Sequence, residues 1–477
     1  MQSVRRKMSI LIKKILRKLP GFKKIFREIT EYRETTVNLQ NTIVDLQNTI
    51  NQMKVRIQQI TDRQNQMDME IQTSVNTQSV ALKKNISHRF VIKRKAGIPV
   101  KVIFLIEEPS IIKNTLSLIE ELSSDKRFEV VLVNLWYKVY KGDAYTYKRP
   151  NIESVLDVSK YTVLEAYDEE TDQWLLLESL LPDYVFFLRS YDYYRNESYH
   201  IKKVSQYART CYVPYGIQTI GGDVEKMVLT PECANLSYFF MDSAIRKDFI
   251  SDTMRGTCFE KEGKLIYLGY PGMDMLRNHE EIKSVDSKWF TILWLPRWNN
   301  TENNCHFFEY KDVLIEYAKQ YDDSRIVLRP HPLCFNNFIN TGEMTEDELV
   351  QLKGNYSEPN AIDETSNYID AFCASSVLVA DETSLIAEYF LTEKPIVFCK
   401  KETHFSLLME KLIEGCYVAN SKDELIDVLE NLRKGNDALK EKRKEIAEQM
   451  LLDYGVSAAY NIKEELWNDF TCEYKYN

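Results

Sequence analysis

Val100-Lys-Val-Ile-Phe-Leu-Ile106 and, further along, Phe290-Thr-Ile-Leu-Trp-Leu295 are the two runs whose reading decides the fold. Each is short and almost continuously apolar, the composition of a strand covered on both faces. Around the first, residues 109–122 read as a helix and Phe128–Val133 as a second strand, followed by candidate strands Tyr184–Leu188, Cys211–Val213, Tyr238–Met241 and Leu265–Gly269. Around the second, the pattern restarts with a helix near 308–320, strands Ile326–Leu328, Val377–Ala380 and Pro395–Phe398, and a helical region from Lys422. Apolar strands alternating with helices make parallel sheets sheathed by helices. The charged stretch 279–288 reads as the linker. The expectation is an α/β chain with two Rossmann-like domains, 95–280 and 281–477, facing a cleft. Ligands of such sheets bind beyond the carboxyl ends of the strands.

The 477 residues leave room for more than two such domains' cores, with 44% hydrophobic, 28% charged and 12% aromatic residues. The formal net charge of −9 is unevenly spread. Residues 1–28 carry ten Lys or Arg against the single acid Glu28, which leaves −18 for the remainder. A body that acidic argues against nucleic acid as a partner, because phosphate contacts need a basic face. The nine cysteines are scattered with no C-x-x-C spacing, as expected of reduced thiols, and no DxD or other ligand set demands a metal. No cofactor is expected. No apolar run reaches the length of a spanning helix, and Lys13 and Lys14 interrupt what would be a signal peptide's apolar region.

Residues 1–28 instead read as a basic amphipathic helix. Leu11, Ile12, Ile15, Leu16, Leu19, Phe22, Ile25 and Phe26 fall at helical spacing, with the basic residues mostly between them. Such a helix lies in the headgroup plane of an anionic membrane, or packs on the protein's own acidic body. Over 29–80 the period becomes seven: Ile43, Ile50, Ile57, Gln64 and Ile71 form one series, and Leu39, Leu46, Met53, Ile60 and Met67 the other. The pentad Leu39-Gln-Asn-Thr-Ile43 recurs unchanged as Leu46-Gln-Asn-Thr-Ile50. A sustained heptad predicts a coiled coil, hence a homo-oligomer, with a solitary helix as the plainer reading. The expected location is peripheral, on the cytoplasmic face of the cell membrane.

Chemistry-bearing motifs sit where the predicted strands end. Arg329-Pro-His331-Pro332 follows Ile326–Leu328. Its prolines stiffen the turn, and the pair suits a diphosphate, with Arg329 as a fork of donors and His331 as a hydrogen-bond or proton donor to a leaving phosphate. The alternative is a rigid surface turn. Asp381-Glu-Thr383-Ser384 follows Val377–Ala380 and opens a helix whose free N–H groups and hydroxyls suit an anion, with Glu388 one turn on, placed for a ribose. An ordinary N-cap is the plainer reading there. Arg297, in Trp294-Leu-Pro-Arg297-Trp298-Asn299, is a further phosphate candidate, and Asp274, in Gly269-Tyr-Pro-Gly272-Met-Asp274, ends a strand of the first half. Tyr191 and Asp192 in Leu188-Arg-Ser-Tyr191-Asp192-Tyr-Tyr194, and Tyr215 and Gly216 in Val213-Pro-Tyr215-Gly216, are candidates for an acceptor side.

Leu265–Asp274, Ile292–Trp298, Arg329–Pro332, Tyr368-Ile-Asp-Ala-Phe372 and Asp381–Ser384 with Lys394-Pro395 occur in that order. Together they resemble the CDP-glycerol glycerophosphotransferases, the teichoic-acid primases and polymerases of GT-B fold. The resemblance implies a CDP-linked donor held by the second half, with Arg329 and His331 on the diphosphate, Thr383 and Ser384 on the phosphates, and Glu388 on the ribose. It departs from the family in two places. The usual Trp-His-Gly-Thr turn is Val213-Pro-Tyr-Gly216 here, and the usual Pro-Thr-x-Arg is Pro296-Arg-Trp-Asn299. The expected activity is transfer of a glycerol-phosphate or related polyol-phosphate unit to a hydroxyl of a lipid-linked or polymeric acceptor in surface-polymer or capsule synthesis. Arg329, Arg297 and the helix N-terminus would stabilise departing CMP, with Asp192 and Asp274 the candidate bases. A nucleotide-sugar glycosyltransferase and a non-catalytic membrane scaffold are the alternatives.

Overall fold

The computed structural model describes residues 7, 10, 11, 14, 18, 21–141, 144–221, 229, 231–277, 279, 282, 288–298, 305–365, 368–401, 404–451 and 457–472. Most of the expected membrane helix, most of the linker and Asn299 lie outside the described residues. Residues 1–78 and 79–477 form two separate compact units. From residue 22 the first is helical: α1, Phe22–Ala96, runs 75 residues without a proline and ends within the second unit, and Leu39, Ile43, Leu46, Ile50 and Met53 of the heptad are each at least half exposed on the single chain. Among the described residues no helix is long and apolar enough to cross a membrane.

In the second unit the chain builds strands β1 (Val100–Ile106), β2 (Phe128–Asn134), β3 (Tyr137–Lys141), β4 (Ala144–Lys148) and β5 (Thr162–Glu165). There follow β6 (Tyr167–Asp168), β7 (Gln173–Trp174), β8 (Tyr184–Phe187), β9 (Arg209–Tyr212), β10 (Tyr238–Phe240) and β11 (Lys264–Ile266). Seven of these form one sheet in the order β11-β10-β9-β8-β1-β2-β5, every pairing parallel. Strands β3 and β4 form a separate antiparallel hairpin outside it, as do β6 and β7. Helix α2 (Lys113–Ser123) follows β1 and buries Leu118, Ile119 and Leu122.

The second sheet uses β12 (Phe290–Leu295), β13 (Ser324–Leu328), β14 (Ala361–Ile362), β15 (Val377–Ala380), β16 (Ile396–Cys399) and β17 (Tyr417–Ala419), in the order β14-β13-β12-β15-β16-β17 and again all parallel. Helix α3 (Phe307–Gln320) covers one face. In each sheet the chain leaves the centre in one direction and then returns to build outward in the other. The reversals lie between β1 and β8 and between β12 and β15, the switch points where such sheets open a crevice. These are the two Rossmann-like halves of the GT-B-like fold.

Among the contacts between the halves, two involve extended segments. Ile220 bridges Phe405, Gly221 N donates to His404 O at 2.9 Å, and Ser406 N donates to Thr219 O at 2.8 Å, so 219–221 lies antiparallel to 404–406. The Ser406 hydroxyl donates to Gln218 O at 2.8 Å and also accepts from Met409 N, capping the helix that follows. The second join corrects the boundary expected from sequence. Helix α4 (Ala458–Thr471), within 281–477, docks on the first sheet, where Phe470 meets Phe90 with ring centroids 5.0 Å apart and Tyr184 Oη donates to Asp469 at 2.6 Å. Its apolar face, Ala459, Ile462, Leu466 and Phe470, finds its cover there.

Asp274, one of the two candidate bases, is part of this second join. Its buried carboxylate accepts from Ala458 N at 2.9 Å, Ala459 N at 2.8 Å and the Ser117 hydroxyl at 3.3 Å, and so caps α4 from the opposite half. Burial raises its pKa against these donors. Asp274→Ala strips two buried N–H groups of their acceptor and is expected to cost about 2–4 kcal/mol, read as a lowered denaturation midpoint. An unchanged midpoint with lost turnover would restore the catalytic reading. At the first join, a Cβ on Gly221 would stand 2.2 Å from Phe405 O, a backbone atom. Gly221→Ala is expected to open this seam, with faster proteolysis around 219–221 and 404–406 at native pH.

Candidate functional site

The strand ends of β12, β13 and β15 converge because these strands are neighbours in one parallel sheet. The first residues beyond them are Pro296-Arg297-Trp298, Arg329-Pro-His331 and Asp381-Glu382-Thr383-Ser384. Asp381, 1% exposed, is the knot between two of these loops. It accepts from Arg297 N at 2.8 Å and His306 N at 3.1 Å, and its other oxygen lies 2.6 Å from His306 Nδ1. With its lone pairs so engaged, Asp381 holds these loops together.

Glu382 is only 2% exposed and is the residue sequence reasoning passed over. One carboxylate oxygen accepts from Arg297 Nη1 at 2.9 Å; the other accepts from the Thr219 hydroxyl of the first half. Arg297 Nη1 also reaches Glu382 O at 3.2 Å. A buried carboxylate needs such partners, since losing one would strand a charge. The sequence displays Glu382 inside the Asp381–Ser384 motif, but its partner Thr219 is 163 residues away.

His331 stands at the exposed rim, its ring 5.8 Å from that of Trp298. Nδ1 accepts from Leu333 N at 3.1 Å, which puts the proton of the neutral ring on Nε2. Surrounding protein, and then the nearby Arg297 guanidinium, hold its pKa below the ordinary 6.5. Arg329 is differently placed from the expectation. Its guanidinium is paired with Asp363, donates to Thr365 O at 2.7 Å and reaches Thr365 Oγ1 at 3.4 Å. It braces the loop after β14, so its planar fork is engaged by protein, while its charge remains at the end of β13.

The helix after Ser384 is Leu385–Tyr389, only five residues, too short to sum the dipole that the motif suggested. The Thr383 hydroxyl accepts from Leu385 N at 3.4 Å, and the Ser384 hydroxyl makes no capping bond. Instead Ser384 looks across to the first half. Its Oγ lies 3.6 Å from where a Cβ on Gly216 would be. Gly216 and Ser384, expected on the acceptor and phosphate sides respectively, therefore face each other directly. Glu388, 1% exposed, has one oxygen without a hydrogen-bond partner among the described residues. Tyr368 bonds to it, and burial followed by that carboxylate raises the pKa of Tyr368 far above the ordinary range. Lys113 of the first half sits 4.0 Å over the Tyr368 ring, and the Tyr270 hydroxyl, which donates to Pro214 O at 3.0 Å, feels the same carboxylate.

On the first-half wall, Arg189 lies over the rings of Tyr191 and Tyr194 at 5.9 and 5.4 Å and pairs with Glu108 at 3.4 Å. Burial pushes the Tyr191 phenol up to about 12 and raises that of Tyr215. Asp192, the other candidate base, is drawn away from this wall. It is 6% exposed, accepts from Arg195 Nη1 at 2.8 Å and holds Ile201 N with both oxygens at 3.1 Å. Arg195 in turn pairs with buried Glu107 at 2.5 Å. Each charge in that triad is compensated by the others, and Asp192 serves as its anchor. The Val213–Gly216 turn carries no imidazole, and the two candidate bases, Asp192 and Asp274, are both engaged by protein donors. Among the described residues no group of three or more His, Cys, Asp or Glu could hold a metal ion.

Three comparisons bear on this arrangement. Residues 218–461, just over half of the chain, match the family model for CDP-glycerol:poly(glycerophosphate) glycerophosphotransferase. No curated protein matches the chain. Among solved structures, one of a putative UDP-N-acetylglucosamine 2-epimerase from Listeria monocytogenes aligns with a TM-score of 0.51 and 14% identity over 80% of this chain and 99% of that one. The wall teichoic acid polymerase TagF aligns with a TM-score of 0.51 and 16% identity over 78% of this chain and 88% of that one. A form of the same polymerase soaked with CDPG gives 0.51 and 17% over 82% and 98%. At such identities an epimerase and a polymerase are equally similar, so the likeness speaks for the fold alone. The family model discriminates, and it spans Arg297, Arg329, His331, Asp381–Ser384 and Glu388. The chain belongs to the CDP-glycerol:poly(glycerophosphate) glycerophosphotransferase family and is a transferase of that kind.

Proposed function

We propose that the protein moves a glycerol-phosphate or related polyol-phosphate unit from a CDP-linked donor to a hydroxyl of a lipid-linked or polymeric acceptor in bacterial surface-polymer synthesis. What supports this reading is that Arg297, His331 and Ser384 follow three adjacent parallel strands, β12, β13 and β15, inside the stretch that matches the family model. The acceptor oxygen attacks the donor's β-phosphorus, the bond to the bridging oxygen breaks, and CMP departs. His331 Nε2–H and the Arg297 charge stabilise the departing phosphate, and Ser384 donates to it. Arg329 contributes charge from behind. Glu388, with an open oxygen in a buried setting, accepts from the donor's ribose hydroxyls. A loose transition state leaves the acceptor hydroxyl its proton until late, when it passes to the departing CMP phosphate, so Asp192 and Asp274 are free to be structural. Residues 1–28 hold the enzyme to an anionic membrane surface, and α1 self-associates through its exposed heptad face.

A thermal-shift panel of CMP, CDP, CTP, UDP and GDP tests the donor. A nucleotide at a hundred times its dissociation constant stabilises by about 2.7 kcal/mol. The expected response is selective for cytidine and is lost in His331→Ala and Ser384→Ala; a response to UDP or GDP alone would move the assignment to a sugar donor. The histidine also predicts a pH dependence. Its lowered pKa leaves it neutral at pH 7, and a diphosphate beside it favours the charged ring, so binding takes up a proton. CDP-glycerol, whose diphosphate diester does not titrate there, should bind more tightly as pH falls from 7.5 through 6, with a flat profile in His331→Ala.

A further inference from the structure

The hairpin β3–β4 belongs to neither sheet, and a two-stranded ribbon is marginal alone. Its Tyr140 and Tyr145 are cross-strand partners with ring centroids 5.7 Å apart. From there the rings continue off the hairpin. Tyr140 stacks on Tyr193 at 4.7 Å and 22°, Tyr193 meets Tyr194 edge-on at 4.9 Å, and Tyr194 meets Tyr191 at 6.1 Å. Tyr191 and Tyr215 follow the adjacent parallel strands β8 and β9, and Gly216, the neighbour of Tyr215, faces Ser384. Lys138 N donates to Tyr194 O at 2.8 Å, which fixes the hairpin to this loop. The row thus runs from the surface to the mouth of the candidate transfer site.

Packing alone accounts for the inner rings and not for the outer ones. Tyr193 is 59% exposed and Tyr145 49%. Neighbouring exposed aromatics are a solubility cost that a soluble surface retains where something binds. Rigid rings with a polar edge offer large contact area at small entropy cost. Their faces match the C–H faces of a pyranose, and their hydroxyls match its hydroxyls. A flexible glycerol-phosphate chain has no such face to offer. On the reading proposed above, we infer that this tyrosine row is the acceptor platform and that it binds a saccharide segment of the acceptor, leaving the acceptor's terminal hydroxyl beside the Gly216–Ser384 contact.

The test is binding of the full chain to an array of bacterial surface oligosaccharides that also carries poly(glycerol phosphate), with Tyr193→Ala and Tyr140→Ala/Tyr193→Ala as variants. The expected result is retention on ring-containing spots, weakened at least ten-fold in the double variant. The denaturation midpoint of Tyr193→Ala should be unchanged, since that side chain is mostly exposed. Binding to poly(glycerol phosphate) alone, binding to nothing, or equal binding by the double variant overturns the platform. So does a variant that loses only its affinity for anionic vesicles, which would make the patch a membrane contact. Stabilisation by cytidine nucleotides is read separately. Cytidine response without glycan binding sinks the platform and leaves the transferase; glycan binding without cytidine response does the reverse.

Discussion

The buried Glu382 carboxylate ties the strand-end loops of the two parallel sheets together. It accepts from Thr219 of one half and from Arg297 of the other. Removing a carboxylate from water costs several kcal/mol unless both oxygens are satisfied, so the contact tolerates neither partner drifting away. The antiparallel seam of 219–221 with 404–406 keeps Thr219 in reach, and Asp381 keeps Arg297 in reach by holding its backbone N–H. The faces that approach each other, Gly216 and Ser384, are positioned by these contacts.

The same demand for satisfaction sorts the polar groups of the cleft into braces and ligand-facing groups. Asp192, Asp274, Asp381 and Arg329 are braces, each engaged by backbone N–H groups, carbonyls or an opposite charge. On the proposed function, His331 Nε2, the Ser384 hydroxyl and the unpartnered oxygen of Glu388 are the groups that meet the ligand. Charge and hydroxyl type alone do not separate the two classes, because Asp274 and Glu388 are both carboxylates, both about 1% exposed, and differ in whether a helix N-terminus arrives to cap them. In Asp274 the arriving helix comes from the far end of the chain.

Long buried strands were readable because both faces of a parallel sheet demand apolar residues. β1, β12 and β15 show this, and β12 and β15 occupy the very residues their patterns mark. The edge strands β5, β14 and β17 escaped, since strands of two to four residues at a sheet's margin carry no such demand. The tyrosine hairpin escaped for a related reason: alternating Tyr and Lys looks like any polar loop until the partner rings at 191–194 are brought beside it. Strand-end motifs were legible as a set because parallel topology delivers every strand's carboxyl end to one edge.

The sequence by itself determined the two-sheet α/β plan, the heptad arm, and the residues gathered at the second sheet's switch point, because periodicity and strand-end position are local properties. Tertiary structure alone decided which of those residues brace the cleft and which face it. It also decided that the last helix serves the first half, and that Gly216 looks onto Ser384. A side chain's role follows from which donors and acceptors surround it, and here those come from residues 163 and 184 positions away in the chain.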